Sequence, residues 1–585
     1  MKHSFKIFSI AAVVTMALMM SGCQDFLTIY PTDKVVLENY WKNKNDVETM
    51  VANSYRKLAE NDFITRLLVW GELRSDDVCE GSNLGTELKY INDANLLPTN
   101  SYCSWEIFYS AINNCNIVMK FAPTVLEEDP DFTQGDMDVI RGEMLAIRAL
   151  CHFYLVRTFR DIPLLKEAMV DDTQDLFQDQ VPPLEALDFI LEDLYEAEGL
   201  VMTSGAYADL NYNKGRITAD AVRAMIADVM LWKAAFTQYK NKSDGSDCYE
   251  YYTTCINYCE RIINDRNNYI EEYEKKNNNG RVTSGGEGAG NPSVIGYPLN
   301  TYPQMMGMSS DTDPYSSLFG EDQNDLKESI FEIQGHINNN PHYATNQLYG
   351  YQNNAALFNA TSLLGGQGTD INLYKKTDLR RYSYTKEGGE EDVYNVAKYT
   401  QTNVNYTTTS NPPYKTSYTP RQTNSDGSSS TNWIVYRITD VMLMEAEALA
   451  LRNDTTLGDE AKAFKLVKAT YYRSNPPAVK VARADSINLN NGIVPLVRDE
   501  RQRELCFEGK RWYDLVRWAL RDGNTTSMLN ELVSRKYETN QNAVKSKMAN
   551  IDKLFFPISE SQIKTSNGHL KQNPSYNTED VYQKN

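Results

Sequence analysis

The sequence predicts a mostly α-helical fold, a scaffold of tetratricopeptide-like helical hairpins interrupted by one long irregular, loop-rich region. Two observations carry that expectation. Through most of the chain apolar residues recur every three or four positions, the spacing that lines one face of a helix. From about Asn267 to Thr431 that period stops, and Gly, Asn, Ser, Thr and Tyr dominate, as in NNNGRVTSGGEGAGNP and QTNVNYTTTSNPPYKTSYTPRQTNSDGSSS. A hydrophobic content of 41% is enough to build a core.

The chain opens with MKHSFKIFSIAAVVTMALMMSGC. Lys2 and Lys6 give a positive start, Ile10 to Met20 is apolar apart from Thr15, and Ser21-Gly22 leads into Cys23. That run is too short to span a bilayer, and its flanks are those of a cleaved export signal. Small residues before a cysteine mark a bacterial lipoprotein signal. Residues 1–22 are then the signal, and Cys23 becomes the acylated first residue of a membrane-anchored body. The alternative is an ordinary secretory signal with an incidental cysteine. Residues 23–43 read as a tether.

Helices are expected at Asp46–Ala59, Ser104–Ala122, Asp138–Phe159, Leu184–Val201, Thr218–Thr237 and Tyr249–Asp265, making residues 44–266 an N-terminal helical region. Thr218 is the expected N-cap of its helix. Short connections between neighbours suggest antiparallel pairs of tetratricopeptide length, though no single pair shows the full repeat signature. Residues 267–432 form the loop-rich region, pinned by Ile330, Phe331, Ile333, Leu357, Phe358, Leu363 and Leu364. Long loops held on a rigid scaffold commonly carry function. Residues 433–585 return to helix, at Thr439–Arg452, Asp459–Tyr472 and Val494–Leu520, before an irregular tail broken by Pro557 and Pro574.

The formal charge is −19, and −21 without Lys2 and Lys6. Such acidity disfavours nucleic acid, whose phosphates need Lys and Arg. Beyond Cys23 there are eight cysteines, none in C-x-x-C spacing; buried free thiols fit best, and the spacing leaves disulfide pairing open. Cys255 and Cys259 share a helix face but have no histidine nearby, which disfavours zinc. No G-x-S-x-G, H-E-x-x-H or P-loop occurs, and GGEGAGNP fails the dinucleotide pattern at its last glycine. His152 lies inside an apolar helix and reads as a core residue. The sequence assigns no catalytic residue, implies no cofactor, and leaves a structural calcium open.

Several stretches, in order, carry a resemblance. They are WGELRSDDV (70–78), GEMLAIRALCHFYLVRTFRDIPLL (142–165), GRITADAVRAMIADVMLWKA (215–234), WIVYRITDVMLMEAEALA (433–450), RDERQRELCFEGKRWYDLVRW (498–518) and LFFPISESQIKTSNGHLKQNPSY (554–576). Together with Cys23 they resemble the SusD/RagB lipoproteins of the Bacteroidetes. The departure is Arg160-Asp161, where that family's G-x-x-P turn usually has glycine. The resemblance implies a lipid-anchored outer-membrane protein at the cell exterior. It would capture oligosaccharides, or peptides in the RagB branch, and deliver them to a partner TonB-dependent transporter of SusC type. It also implies that an early loop and the middle region jointly line the ligand groove.

The charged residues of 498–518 lie at helical spacings, and we expect intrahelical ion pairs among Glu504, Glu508 and Arg511 rather than an active site. Ligand contacts are expected instead on aromatic loops, because flat Tyr and Trp faces match the C–H faces of sugars while Asp, Asn and Arg bond hydroxyls. Candidates in the early loop are Arg74, Asp76, Asp77, Asn83, Tyr90 and Tyr102. Those in the middle region are Tyr297, Tyr302, Tyr315, Tyr349 and Tyr351. For Arg74, Asp76 and Asp77 an ion-pair cluster at a helix end is an equal alternative. Trp105, on a stripe with Phe108 and Ile112, reads as core.

Overall fold

Helix α1 (Lys44–Leu58) begins at Asn43, whose side chain accepts from Asp46 N–H while the Asp46 carboxylate accepts from Asn43 N–H. This reciprocal cap satisfies two donors that a helix start leaves over. The chain is seen here in a computed structural model, which describes residues 40–576 except 82–83, 171–173, 175–176, 278–295, 300–314, 320–326, 337, 339–340, 342, 351–355, 362–372, 376–377, 388–393, 407–414, 426, 476–486 and 538. Helix α2 (Asn61–Gly71), which the periodicity does not reveal, follows directly. Strand β1 (Val78–Glu80) and the short helix α3 (Thr86–Asn92) come next, then α4 (Glu106–Phe121) and α5 (Gln134–Phe159).

Helix α5 is capped by Thr133 and Asp136 in the same reciprocal way. Almost every residue after Ile140 is buried, because α4 and α6 (Pro183–Glu198) pack on it. It stops at Arg160, whose φ of 72° makes the reversal that glycine would make more easily. Arg160 is held there by ion pairs to Asp161, at 2.6 Å, and to Asp552. Helices α7 (Ala219–Asn241) and α8 (Tyr249–Asn277) complete the N-terminal layer. Thr218 stands at the N-cap of α7, but its hydroxyl accepts from Ser204 and not from the helix.

The stretch expected to be irregular is partly sheet. Strand β2 (Ser329–Ile333) pairs antiparallel with β6 (Trp433–Arg437), aligning Ile333 with Trp433. Strands β3 (Phe358–Ala360), β4 (Thr385–Glu387) and β5 (Tyr394–Val396) join β1 in an antiparallel sheet ordered β1-β3-β5-β4. Each of these four strands has three residues, too few for a period-two pattern to stand out.

Helices α9 (Ile438–Arg452) and α10 (Asp459–Ser474) follow, with α9 wedged between α8, α10 and α11 (Ile493–Leu505). The single helix expected over Val494–Leu520 is two. Helix α11 ends at Leu505 and α12 (Arg511–Asp522) begins after a sharp turn in which Phe507 and Gly509 have φ of 67° and 68°. The expected intrahelical pairs are therefore replaced by pairs between elements. Glu504 takes Arg437 at 2.7 Å, Arg380 at 3.0 Å and also Arg473. Glu508 takes Arg437 at 2.7 Å and Lys398 at 2.5 Å, and Arg511 goes to Asp76. Burial would raise Glu504, but the guanidiniums of Arg473, Arg437 and Arg380 hold it well below the usual carboxylate range.

Helices α13 (Thr526–Lys536) and α14 (Gln541–Lys547) close the domain. One hydrophobic cluster draws on all three sequence regions, with Trp70, Trp232, Phe331, Trp433 and Trp512 among its members. Among the described residues no helix is long and apolar enough to cross a membrane. The eight described cysteines are free thiols, and seven are buried. His152 is buried, its Nδ1 at 3.0 Å from Arg148 O and its Nε2 at 3.3 Å from Leu165 N, and burial pulls it down to about 3.

Candidate functional site

The site is built from the end of α2 outward. A Cβ on Gly71 would stand 1.9 Å from the carbonyl oxygen of Gly509, and one on Gly509 would stand 2.9 Å from that of Leu67. The two backbones touch, so neither position has room for a side chain. Glu72 fastens the contact by accepting from Phe507 N–H at 3.0 Å and Gly509 N–H at 2.9 Å.

The chain then turns through Arg74, Ser75, Asp76 and Asp77, all buried. Arg74 donates to the carbonyls of Lys553 and Leu554, both at 2.8 Å, and lies 4.1 Å over the Trp512 ring. Asp76 receives a two-pronged bond from Arg511 at 2.7 and 3.0 Å and a further one from Arg535 at 3.2 Å. Asp77 accepts from Gln502 Nε2 at 2.7 Å. Burial would raise both aspartates, yet Arg511 and Arg535 hold Asp76 low. Burial, then the Asp76 charge, push Asp77 up to about 6. From below, Lys536 donates to the carbonyls of Leu73, Ser75 and Val78 at 2.6, 2.9 and 2.9 Å. Burial pulls this ammonium down to about 8.

Above this fastened turn lie two clefts of about 650 and 380 Å³ that share Asn95 and Lys547 and so form one groove. Its floor is the sheet edge, with Cys79 and Glu80 on β1, Asn359 and Ala360 on β3, and Tyr394 on β5. One wall is α3 and the segment after it, presenting Lys89, Tyr90, Asn92, Asp93 and Asn95. The other is α13 and α14, presenting Arg535, Lys536, Tyr537 and Lys547, with Lys553 and Tyr576 at the far end. The early loop and the middle region thus meet in one concave surface. Such a surface, with scattered amides and one exposed ring, can hold a polar ligand by stacking and hydrogen bonds. Tyr90 supplies that ring, 40% exposed. The Asn92 side-chain amide oxygen is buried with no hydrogen-bond partner among the described residues, while its backbone carbonyl accepts from the Tyr537 hydroxyl.

The candidate residues fall into four groups. Tyr90 and Arg74 line the groove, although the head group of Arg74 is occupied beneath it. Asp76 and Asp77 lie under the floor, Asp76 ion-paired and Asp77 bonded to Gln502, which corrects their reading as ligand contacts: enclosed carboxylates present no surface. Tyr315 and Tyr349 need the same correction, both being buried. The Tyr315 hydroxyl is 2.8 Å from Ser474 Oγ and bonds Glu504, and that of Tyr349 points to Phe507 O at 3.5 Å. Tyr102 and Tyr297 are half-buried elsewhere, beside Arg66 and Lys465. Cys23, Asn83, Tyr302 and Tyr351 lie outside the described residues.

Sequence reasoning missed Asn92, Asn95, Asn359, Tyr394, Tyr537 and Lys547. The Asn-rich stretches around 92–95 and 540–542 were the only local signal. A third cleft of about 570 Å³ lies on another face, between Trp105, Tyr109, Met169 and Leu570, where Phe177 stacks on His569 at 5.6 Å. Trp105 itself is core, 5.0 Å from Phe159. Among the described residues no three His, Cys, Asp or Glu side chains are grouped to hold a metal ion.

A family model described as the SusD family matches residues 333–576. SusD-like protein P38 of Formosa agariphila is 23% identical over 532 residues, covering 88% of this chain and 92% of that protein. A second SusD-like protein of the same organism is 24% identical over 519 residues, covering 87% and 90%. A SusD homolog from Bacteroides thetaiotaomicron superimposes with a TM-score of 0.64 at 16% identity, over 92% of this chain and 98% of that one. The structure titled B. fragilis NanU gives a TM-score of 0.57 at 19% identity, over 94% and 100%. The chain is thus similar to SusD-family proteins over residues 333–576, and it shares the tetratricopeptide-like helical scaffold of solved SusD superfamily structures.

Proposed function

We propose that this protein captures oligosaccharides in the joined groove without transforming them and delivers them to a partner TonB-dependent transporter of SusC type. Acyl chains on Cys23 moor it to the outer membrane, facing the cell exterior. The single observation that carries the reading is the convergence of the early loop and the middle region on one groove with an exposed tyrosine. A sugar stacks on Tyr90, and its hydroxyls bond the amides of Asn92, Asn95 and Asn359. Contacts of this kind release their ligand readily, which suits transfer to a channel.

Calorimetric titration of the mature protein with a panel of oligosaccharides and peptides tests the reading. Binding of at least one oligosaccharide, weakened about tenfold by Tyr90→Ala, is expected, since a stacked ring contributes on the order of 1 kcal/mol or more. Binding of peptides alone would move the protein to the RagB-type reading. Release of reducing ends from a polysaccharide by the protein alone would defeat the non-catalytic assignment.

A further inference from the structure

We infer that the groove selects oligosaccharides that carry negative charge, as carboxylate or sulfate groups, and that the charged group seats in its smaller cleft. The inference rests on the groove being the glycan site and adds the chemical class of the sugar.

The groove reverses the sign of the chain's overall charge. The chain carries a formal charge of −19. Yet six cations line the groove, Arg74, Lys89, Arg535, Lys536, Lys547 and Lys553, against two anions, Glu80 and Asp93. Among the described residues the smaller cleft is lined by three of those cations and by no carboxylate.

Some of this positive charge is already matched. Lys89 pairs with Glu80 at 2.6 Å, and Arg535 with Asp76 at 3.2 Å and with Glu531. The other four are held by neutral groups. Arg74 and Lys536 donate to backbone carbonyls, Lys547 donates to Asp93 O at 3.3 Å, and Lys553 lies 3.8 Å over the Tyr576 ring. Lys547 is exposed and Lys553 half-buried, so both head groups remain within reach of a ligand.

Cations gathered in a partly dry cleft without counter-ions destabilise one another. Burial lowers Arg74, and burial followed by the charge of Arg74 lowers Lys553. An anion placed between Lys547 and Lys553 relieves that repulsion, and charge-assisted bonds of this kind are the strong ones. A neutral sugar gains nothing from the arrangement. Once the charged group is seated, the next rings extend past Asn95 into the larger cleft, where Asn92 and Asn359 meet hydroxyls.

The test compares three ligands by calorimetry on the mature protein: an oligogalacturonide, its carboxyl-reduced neutral counterpart, and a sulfated oligosaccharide of similar length. At least one charged ligand is expected to bind about tenfold more tightly than the neutral one. Its affinity should fall severalfold between about 20 and 200 mM salt, as charges become screened. Lys547→Gln, at an exposed position, is expected to weaken the charged ligand by about tenfold and to flatten its salt dependence. Lys553→Gln should act in the same direction. Neutral and charged ligands bound equally, with no salt dependence, would overturn the inference and leave the glycan reading standing. Binding of peptides with no oligosaccharide bound would overturn both.

Discussion

Arg511 reaches back 435 positions in the chain to Asp76, with Nε 2.7 Å from Oδ1 and a second nitrogen 3.0 Å from Oδ2. Both side chains are buried, so this bond fixes the turn beneath the groove to the C-terminal signature helix. Removing Asp76 takes the two-pronged partner from the buried Arg511, leaving it the partly exposed Glu531 at 3.1 Å. Asp76→Ala is expected to cost about 3–5 kcal/mol in urea denaturation. A loss below about 1 kcal/mol would contradict this role.

Gly71→Ala tests the backbone contact directly. The added methyl has a carbonyl carbon and oxygen of Gly509 at 2.5 and 1.9 Å, and these cannot swing aside as a side-chain tip does. A loss of about 3 kcal/mol or more is expected, or failure to fold. Gly85→Ala, at a position open to solvent, serves as the control and should be close to neutral.

Asp77 makes stability depend on pH in a sense opposite to that of Asp76. Its carboxyl titrates at about 6 in the folded chain, and at about 3.9 unfolded, so the folded state holds the extra proton between these values. Stability from this group therefore falls as pH rises from about 4 to 6. Asp77→Asn removes the penalty, and its melting temperature should exceed that of the parent by more at about pH 7.5 than at about pH 4. An equal difference at both would show that Asp77 carries no such penalty.

Cys79 is the one described cysteine that is not buried, and it lies on the groove floor. A thiol reagent applied to the folded protein should modify Cys79 first, read by mass spectrometry, and a bound oligosaccharide should slow that reaction. Modification at an equal rate with and without saturating ligand would place the ligand elsewhere.

Much of the helical scaffold was legible, because long elements repeat their signal. Helix α5, expected at Asp138–Phe159 from its apolar residues, runs over Gln134–Phe159, its capped first turn having gone unread. The break between α11 and α12 was not legible. It exists because Gly509 must pass against Leu67, a contact between segments far apart in sequence, and its one local mark in FEGKR is Gly509 itself. The same blindness turned Glu504, Glu508 and Arg511 into partners on one helix, when Glu504 and Glu508 share Arg437 and Arg511 reaches Asp76. Arg74, Asp76 and Asp77 were evenly poised between ligand and ion-pair roles; Asp76 is buried in ion pairs, Asp77 is buried against Gln502, and Arg74 holds backbone carbonyls beneath the groove. Lys547 and Tyr537 could not be found because the groove forms only when α13 and α14 fold back over α3 and the sheet.

The central claim is that the groove over the Arg74–Asp77 turn holds the ligand. Hydrogen exchange of the mature protein with and without a saturating oligosaccharide measures this most directly. The account predicts added protection in residues 86–97, 359–361 and 535–547. Protection confined to residues 105–113 and 562–570, around the third cleft, would contradict it.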